Sequence, residues 1–213
     1  MAWYRCTGEG GAVVQSPKIQ LMHESGENQQ LIYTVPESGM YMFLQYTSHN
    51  GTNQIILPNG NIPIIDDYIN RTAEIPSGEV VFRIVIANLS ANEEVILNGN
   101  TDAWWLAITK QIYKLENINN ISFYHKDTTN DGTVTYTVTQ NNDTYLVIGI
   151  CGGRSDGEYR DNTVTTSSAV IPKSYIGYHT ITNIYYGKGN NIPEINMFGY
   201  NGNNSIVYAM KTS

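Results

Sequence analysis

The chain carries the same strand pattern twice, about 103 residues apart, and few folds accommodate such a repeat. Tyr33-Thr34-Val35 opens one copy and Tyr136-Thr137-Val138 the other, an offset of 103. Tyr41-Met42-Phe43-Leu44 answers to Tyr145-Leu146-Val147-Ile148 at an offset of 104. Ala73-Glu74-Ile75-Pro76 is echoed by Ala169-Val170-Ile171-Pro172, and Asn98-Gly99-Asn100 by Asn201-Gly202-Asn203. Leu106-Ala107-Ile108-Thr109-Lys110 returns as Tyr208-Ala209-Met210-Lys211. Aliphatic and Tyr-rich strands look alike, so each echo alone says little. Five in the same order predict a tandem duplication, against the competing account of one larger β domain.

Period two dominates. Val80-Val81-Phe82-Arg83-Ile84-Val85-Ile86 is β-branched and nearly continuous, as a buried strand requires. Thr133 to Thr139 alternates strictly, which places Val134, Tyr136 and Val138 on one face and four threonines on the other. The preceding Asn130-Asp131-Gly132 predicts a turn closing a hairpin with Ile121-Ser122-Phe123-Tyr124. Further turns are expected at Glu37-Ser38-Gly39, Pro58-Asn59-Gly60, Pro76-Ser77-Gly78, Asn98-Gly99 and Asp156-Gly157. Ile64 to Ile69 is compatible with a short helical turn. The expected fold is all-β: two tandem jelly-roll-like β-sandwich domains of similar topology. Residues 1–12 form a flexible N-terminal arm, 13–116 the first domain and 117–213 the second, with the polar, Asn-rich stretch Leu115 to Asn120 as the boundary. At 213 residues each half is long enough for its own core.

Charge narrows the function classes. The net charge is −7 and only 15% of residues are charged, without the basic face that a nucleic-acid binder needs. No run of about 18 apolar residues suggests a transmembrane helix. The opening Met1 to Gly8 has no apolar core of a signal peptide, so if this is the native start, synthesis in the cytoplasm is expected, with no membrane insertion. The Asn-x-Ser/Thr triplets at Asn70 and Asn88 then follow from an Asn-rich composition. Cys6 and Cys151 make no framework, and no disulfide is expected.

Catalytic constellations are sparse. None of His23, His49, His125 and His179 has a ligand partner at zinc-site spacing. Asp66 and Asp67 are adjacent, and on an extended segment they leave opposite faces, which does not suit the facing acids of glycoside hydrolysis. Asp127 to Gly132 is superficially like a calcium loop, but its twelfth position is Val138 where a Glu is needed. Gly8, Gly10 and Gly11 precede no strand-to-helix unit that could cradle a phosphate. No enzyme, metal or cofactor is therefore expected.

Aromatic residues carry the binding signal. Tyrosine occurs 16 times against 4 for Phe, and it combines an apolar body with a polar tip suited to exposed recognition surfaces. Trp104-Trp105 and Tyr185-Tyr186 are neighbours on strands, so one ring of each pair should face the core and the other the outside. Tyr200 joins them as a candidate binding residue. An outward ring serves either a sugar face or a contact between domains or subunits.

Two resemblances add to this reading. Ser38-Gly39-Met40-Tyr41-Met42-Phe43 resembles the Gly-x-Tyr-x-Phe strand of the trimeric jelly-roll superfamily that includes the C1q and TNF-like heads; in the second copy Asp143 replaces the Gly. The opening Met-Ala-Trp-Tyr-Arg-Cys-Thr-Gly resembles the starts of tail-associated proteins of phages and prophages of gut Firmicutes. This implies a virion-associated structural or receptor-binding role as a homotrimer, with virion proteins or a host cell-surface glycan or protein as partners. The alternative is a carbohydrate-binding module of a glycan-degrading system.

Overall fold

The computed structural model describes residues 16–27, 29–47, 51–70, 80–101, 108–152, 169–176 and 180–213. Its strands are Lys18–Ser25 (β1), Leu31–Thr34 (β2), Gly39–Thr47 (β3), Gly51–Ile56 (β4), Ile65–Asn70 (β5), Val80–Leu89 (β6) and Glu94–Thr101 (β7). Ile108–Glu116 (β8), Ser122–Tyr136 (β9), Thr144–Gly152 (β10), Ala169–Ile176 (β11), Thr180–Lys188 (β12) and Ile195–Thr212 (β13) complete the set. The protein is all-β. A single 3-10 turn at Gly189–Asn191 is the one helical element among the described residues.

Two five-stranded antiparallel sheets dominate, in the orders β1-β8-β3-β6-β5 and β9-β13-β10-β12-β11; a three-stranded sheet runs β2-β7-β4. Met42 pairs with Tyr113 on one side and Ile86 on the other, as Leu146 does with Met210 and Tyr186. Tyr41 lies opposite Lys114 and Tyr145 opposite Lys211, while Tyr33 faces Val95 and Tyr136 faces Ile195. Each of these lysines also meets an acid just ahead of the neighbouring strand: Lys114 Nζ is 2.6 Å from Glu37 Oε1, and Lys211 Nζ is 2.7 Å from Asp143 Oδ2.

These registers correct two of the sequence echoes. By register Lys211 lines up with Lys114 rather than Lys110, since Lys114 pairs with Tyr41 and Lys211 with Tyr145. Gly99, four residues after Val95, matches Gly199, four after Ile195, rather than Gly202. Ala73 to Pro76 lies outside the described residues; β11 takes beside β12 the place that β5 takes beside β6.

The layers stack because both large sheets are apolar on both faces. Tyr41, Phe43, Val85, Ala87 and Ile112 pack against Val95, Leu97 and Ile55 of the three-stranded sheet. The opposite face, with Met42, Leu44, Phe82, Ile84 and Ile86, packs on Leu146, Ile148, Ile150, Ile184, Ile206 and Tyr208 of the second large sheet. On the outer side of that sheet, Val134, Ile195 and Met197, from the far ends of its own β9 and β13, cover Tyr145, Val147, Tyr185 and Ala209. At the edges of the central contact, β1 lies against β11 and β5 against β9.

Several local expectations are revised. Asn130-Asp131-Gly132 closes no hairpin: β9 runs through it, because its two ends pair with the two ends of β13. The irregularity falls instead in β13, where the register shifts between Gly199 and Asn204 and the pair passes from one layer to the next. Asn98-Gly99 lies within β7 rather than in a turn, and the stretch expected as a helical turn is a bend at Ile64 followed by β5, with Ile65 and Ile69 buried and Asp66 exposed. Pro58-Asn59-Gly60 does turn, with Gly60 at φ 84° and Asn61 N–H donating to Pro58 O. The alternation from Thr133 holds: Val134 and Val138 are buried and Thr133, Thr135, Thr137 and Thr139 exposed. Between β8 and β9, Asn117 and Asn120 adopt positive φ, which Asn tolerates better than most residues.

Candidate functional site

Edge strands of two stacked sheets leave a rim, and at one rim polar and aromatic side chains gather. A cleft of about 380 Å³ opens between β5 and β9, lined by Tyr68, Ile69, Lys126, Asp127 and Thr128. That volume falls in the lower part of the usual range for small-molecule sites, about 300–1,000 Å³.

The strand period decides who faces the second sheet. Ile65, Asp67 and Ile69 point toward the second sheet, so Asp67 enters the interface between two apolar neighbours. A carboxylate there needs partners, and it has them. Lys126 Nζ donates to Asp67 Oδ1 at 2.7 Å, and the Tyr208 hydroxyl donates to Asp67 Oδ2 at 3.0 Å. Burial, then the Asp67 charge, hold the Tyr208 phenol well above the usual tyrosine range. Lys126 also donates to the Tyr68 carbonyl at 3.0 Å, and its ammonium stands 6.0 Å from the Tyr68 ring and 5.8 Å from the Phe123 ring. Both rings stay open to solvent, Tyr68 at 47% and Phe123 at 51% exposure.

Asp66 leaves the other face, as the sequence implied, and Arg83 Nη2 lies 2.8 and 2.9 Å from its two oxygens. The adjacent acids are thus divided between two cations on two sides of the strand. Such a pair cannot flank one scissile bond.

Of the aromatic candidates, Trp104 and Trp105 lie outside the described residues. The backbone of Tyr200 runs in β13, and its side chain is likewise outside them. Tyr185 is fully buried between the second sheet and the layer beyond it, and Tyr186 is half-buried against the central core. The two rings leave opposite faces as expected, but both faces of β12 are covered. Tyr68, Phe123 and Lys126 were not singled out from the sequence. The available signal was an aromatic beside the Asp66-Asp67 pair and the Phe123-Tyr124 doublet.

A second exposed feature crosses the three-stranded sheet. Ile32 and Ile56 each pair with Ile96, forming an apolar row on its outer face, with Ile32 and Ile56 55% and 47% exposed. The matching positions in the other half are Thr135 and Asn196, joined by a 2.7 Å hydrogen bond.

Among the described residues no three His, Cys, Asp or Glu side chains group in a way that could hold a metal ion. No helix among them is long and apolar enough to cross a membrane. Cys151 is buried at the end of β10, and Cys6 lies outside the described residues. Comparison with protein-family models, curated proteins and solved structures gave no match.

Proposed function

We propose that the chain is a non-enzymatic binding and assembly module, made of two jelly-roll-like sandwiches that descend from one by internal duplication. The shared strand order β1-β8-β3-β6-β5 and β9-β13-β10-β12-β11 supports the duplication, as do the recurring Tyr–Lys cross-strand pairs. A jelly roll sets strands 1-8-3-6 over 2-7-4-5; the first half follows that order, except that β5 sits beside β6 rather than β4.

The observation that carries the non-enzymatic reading is the division of Asp66 and Asp67 between Arg83 and Lys126. Both acids of the pair are thereby committed to holding strands together, one on each side of β5. The resemblance of the opening residues to phage and prophage tail-associated proteins favours virion assembly or host-surface attachment as the role, with virion proteins or a surface glycan or protein as partners. Fold alone would not assign it.

The genes flanking the coding sequence test this reading. Tail and baseplate neighbours support it; polysaccharide-degrading neighbours favour a carbohydrate-binding module instead. Light scattering tests the homotrimer that the resemblance to tail-associated proteins implies. Turnover of a polysaccharide that disappears on Asp66→Asn or Asp67→Asn would overturn the non-enzymatic reading.

A further inference from the structure

The β5–β9 cleft combines groups that have no structural need to be exposed together. The Tyr68 ring is apolar, half open to solvent and fixed at its backbone, because its own carbonyl accepts a hydrogen bond from Lys126. Phe123 is open within 5.8 Å of the same ammonium and rests against Tyr208, ring centroids 5.6 Å apart. Asp127 stands at the lining with one carboxylate oxygen accepting from the Thr128 N–H at 2.8 Å, which orients it. The cleft therefore offers a flat apolar platform, a fixed carboxylate acceptor and an ammonium edge within one opening of about 380 Å³.

Charge selects among ligands. Lys126 is already neutralised by Asp67, and Asp127 adds a further negative charge, so the lining is net negative and disfavours an acidic ligand. A cationic ligand would meet the Lys126 ammonium between the two rings. A neutral sugar suits both constraints. Its C–H face stacks on an aromatic ring, and its hydroxyls donate to a carboxylate and accept from an ammonium.

We propose that this cleft binds a neutral pyranose of a glycan, stacked on Tyr68, with Asp127 accepting from its hydroxyls and Lys126 donating to them. The inference rests on the attachment half of the function proposed above and names the ligand class. It moves recognition away from the tyrosines of β12 to the seam between the two large sheets.

The full chain, displayed multivalently on an array of neutral oligosaccharides and their sialylated counterparts, provides the test. Retention of neutral pyranosides is expected, with a loss of at least about tenfold for Tyr68→Ala and a smaller loss for Asp127→Asn. Both variants should melt at the wild-type temperature, since Tyr68 and Asp127 are exposed. Tyr124→Ala should bind as wild type, because that ring packs on Tyr145, away from the cleft. An array without neutral hits, hits confined to sialylated glycans, or binding undiminished in Tyr68→Ala overturns the site. If Tyr68→Ala also adsorbs normally to host cells, the site falls and the attachment role survives. Tyr68-dependent sugar binding by a chain with no tail-gene neighbours leaves the site standing and removes the virion reading.

Discussion

The Tyr208 hydroxyl donates a 3.0 Å hydrogen bond to Asp67 Oδ2, joining β13 of one large sheet to β5 of the other. The bond lies at the margin of an apolar contact that also sets the Phe82 and Tyr208 rings 6.1 Å apart. Position along the chain gives no hint of it.

Removing this bond should be measurable. Tyr208→Phe keeps the ring packing and deletes the donor, and Asp67 retains Lys126, so a loss of about 1–2 kcal/mol is expected in urea unfolding. A double-mutant cycle with Asp67→Asn should return a coupling of roughly 0.5–1.5 kcal/mol. A coupling near zero would mean that the two groups do not cooperate across the sheets.

Three glycines should respond differently to alanine. At Gly189 a Cβ would run into the Thr139 carbonyl oxygen, part of the backbone, and the substitution should cost about 2–3 kcal/mol. At Gly149 it would meet Met197 Sδ at 2.8 Å, the flexible end of a side chain, so the cost should be nearer 1 kcal/mol. At Gly187 nothing lies within 4 Å, and the matching position in the first half is Ala87. Gly187→Ala should stabilise by about 0.5 kcal/mol by restricting the unfolded chain. Thermal melts of the three variants should rank in that order.

Alkaline pH should unfold the protein through its tyrosines. Burial first, then Tyr124 and Tyr145, push Tyr136 up to about 12; burial likewise raises Tyr113 and Tyr208. Unfolded tyrosine titrates near 10. Above that pH the unfolded chain releases protons that the folded chain keeps, so stability is complete below about 10 and falls as pH climbs through 12. Urea midpoints measured across neutral and alkaline pH should be flat and then decline. The Tyr113 hydroxyl is buried and finds no hydrogen-bond partner among the described residues, so Tyr113→Phe should flatten that decline. It should also gain up to about 1 kcal/mol at neutral pH.

The first half alone should pair with itself. The two large sheets meet through matching faces, Met42, Leu44 and Ile84 on one and Leu146, Ile148 and Ile184 on the other, and β1 meets β11 as β9 meets β5. A contact between equivalent faces is the geometry of a two-fold dimer. Residues 13–116 expressed alone should therefore run at dimer mass by light scattering, and Phe82→Ala, which hollows that face, should weaken the pairing. A soluble monomeric fragment would argue against the two-fold relationship.

Strand character was legible throughout the sequence, because period two reports which residues share a face. The pairs Tyr33 with Tyr136 and Tyr41 with Tyr145, read as echoes, occupy matching registers. Near-continuous apolar runs such as Val80 to Ile86 foretold sheets buried on both sides. The alternation from Thr133 and the opposed directions of Asp66 and Asp67 also followed from local chain geometry.

Only the tertiary structure decided what covers each face. A local signal such as Asn130-Asp131-Gly132 favours a turn, yet β13 offers partners on both sides of it, and long-range pairing prevails over turn propensity. Tyr185 and Tyr186 leave opposite faces, and the stack covers both, so neither remains an open platform. Tyr68 and Phe123 are exposed because β5 and β9 happen to be edge strands on the same side of that stack. Facing follows from the two-residue repeat of a strand; exposure depends on contacts between residues such as Asp67 and Tyr208, far apart in the chain, which no local pattern encodes.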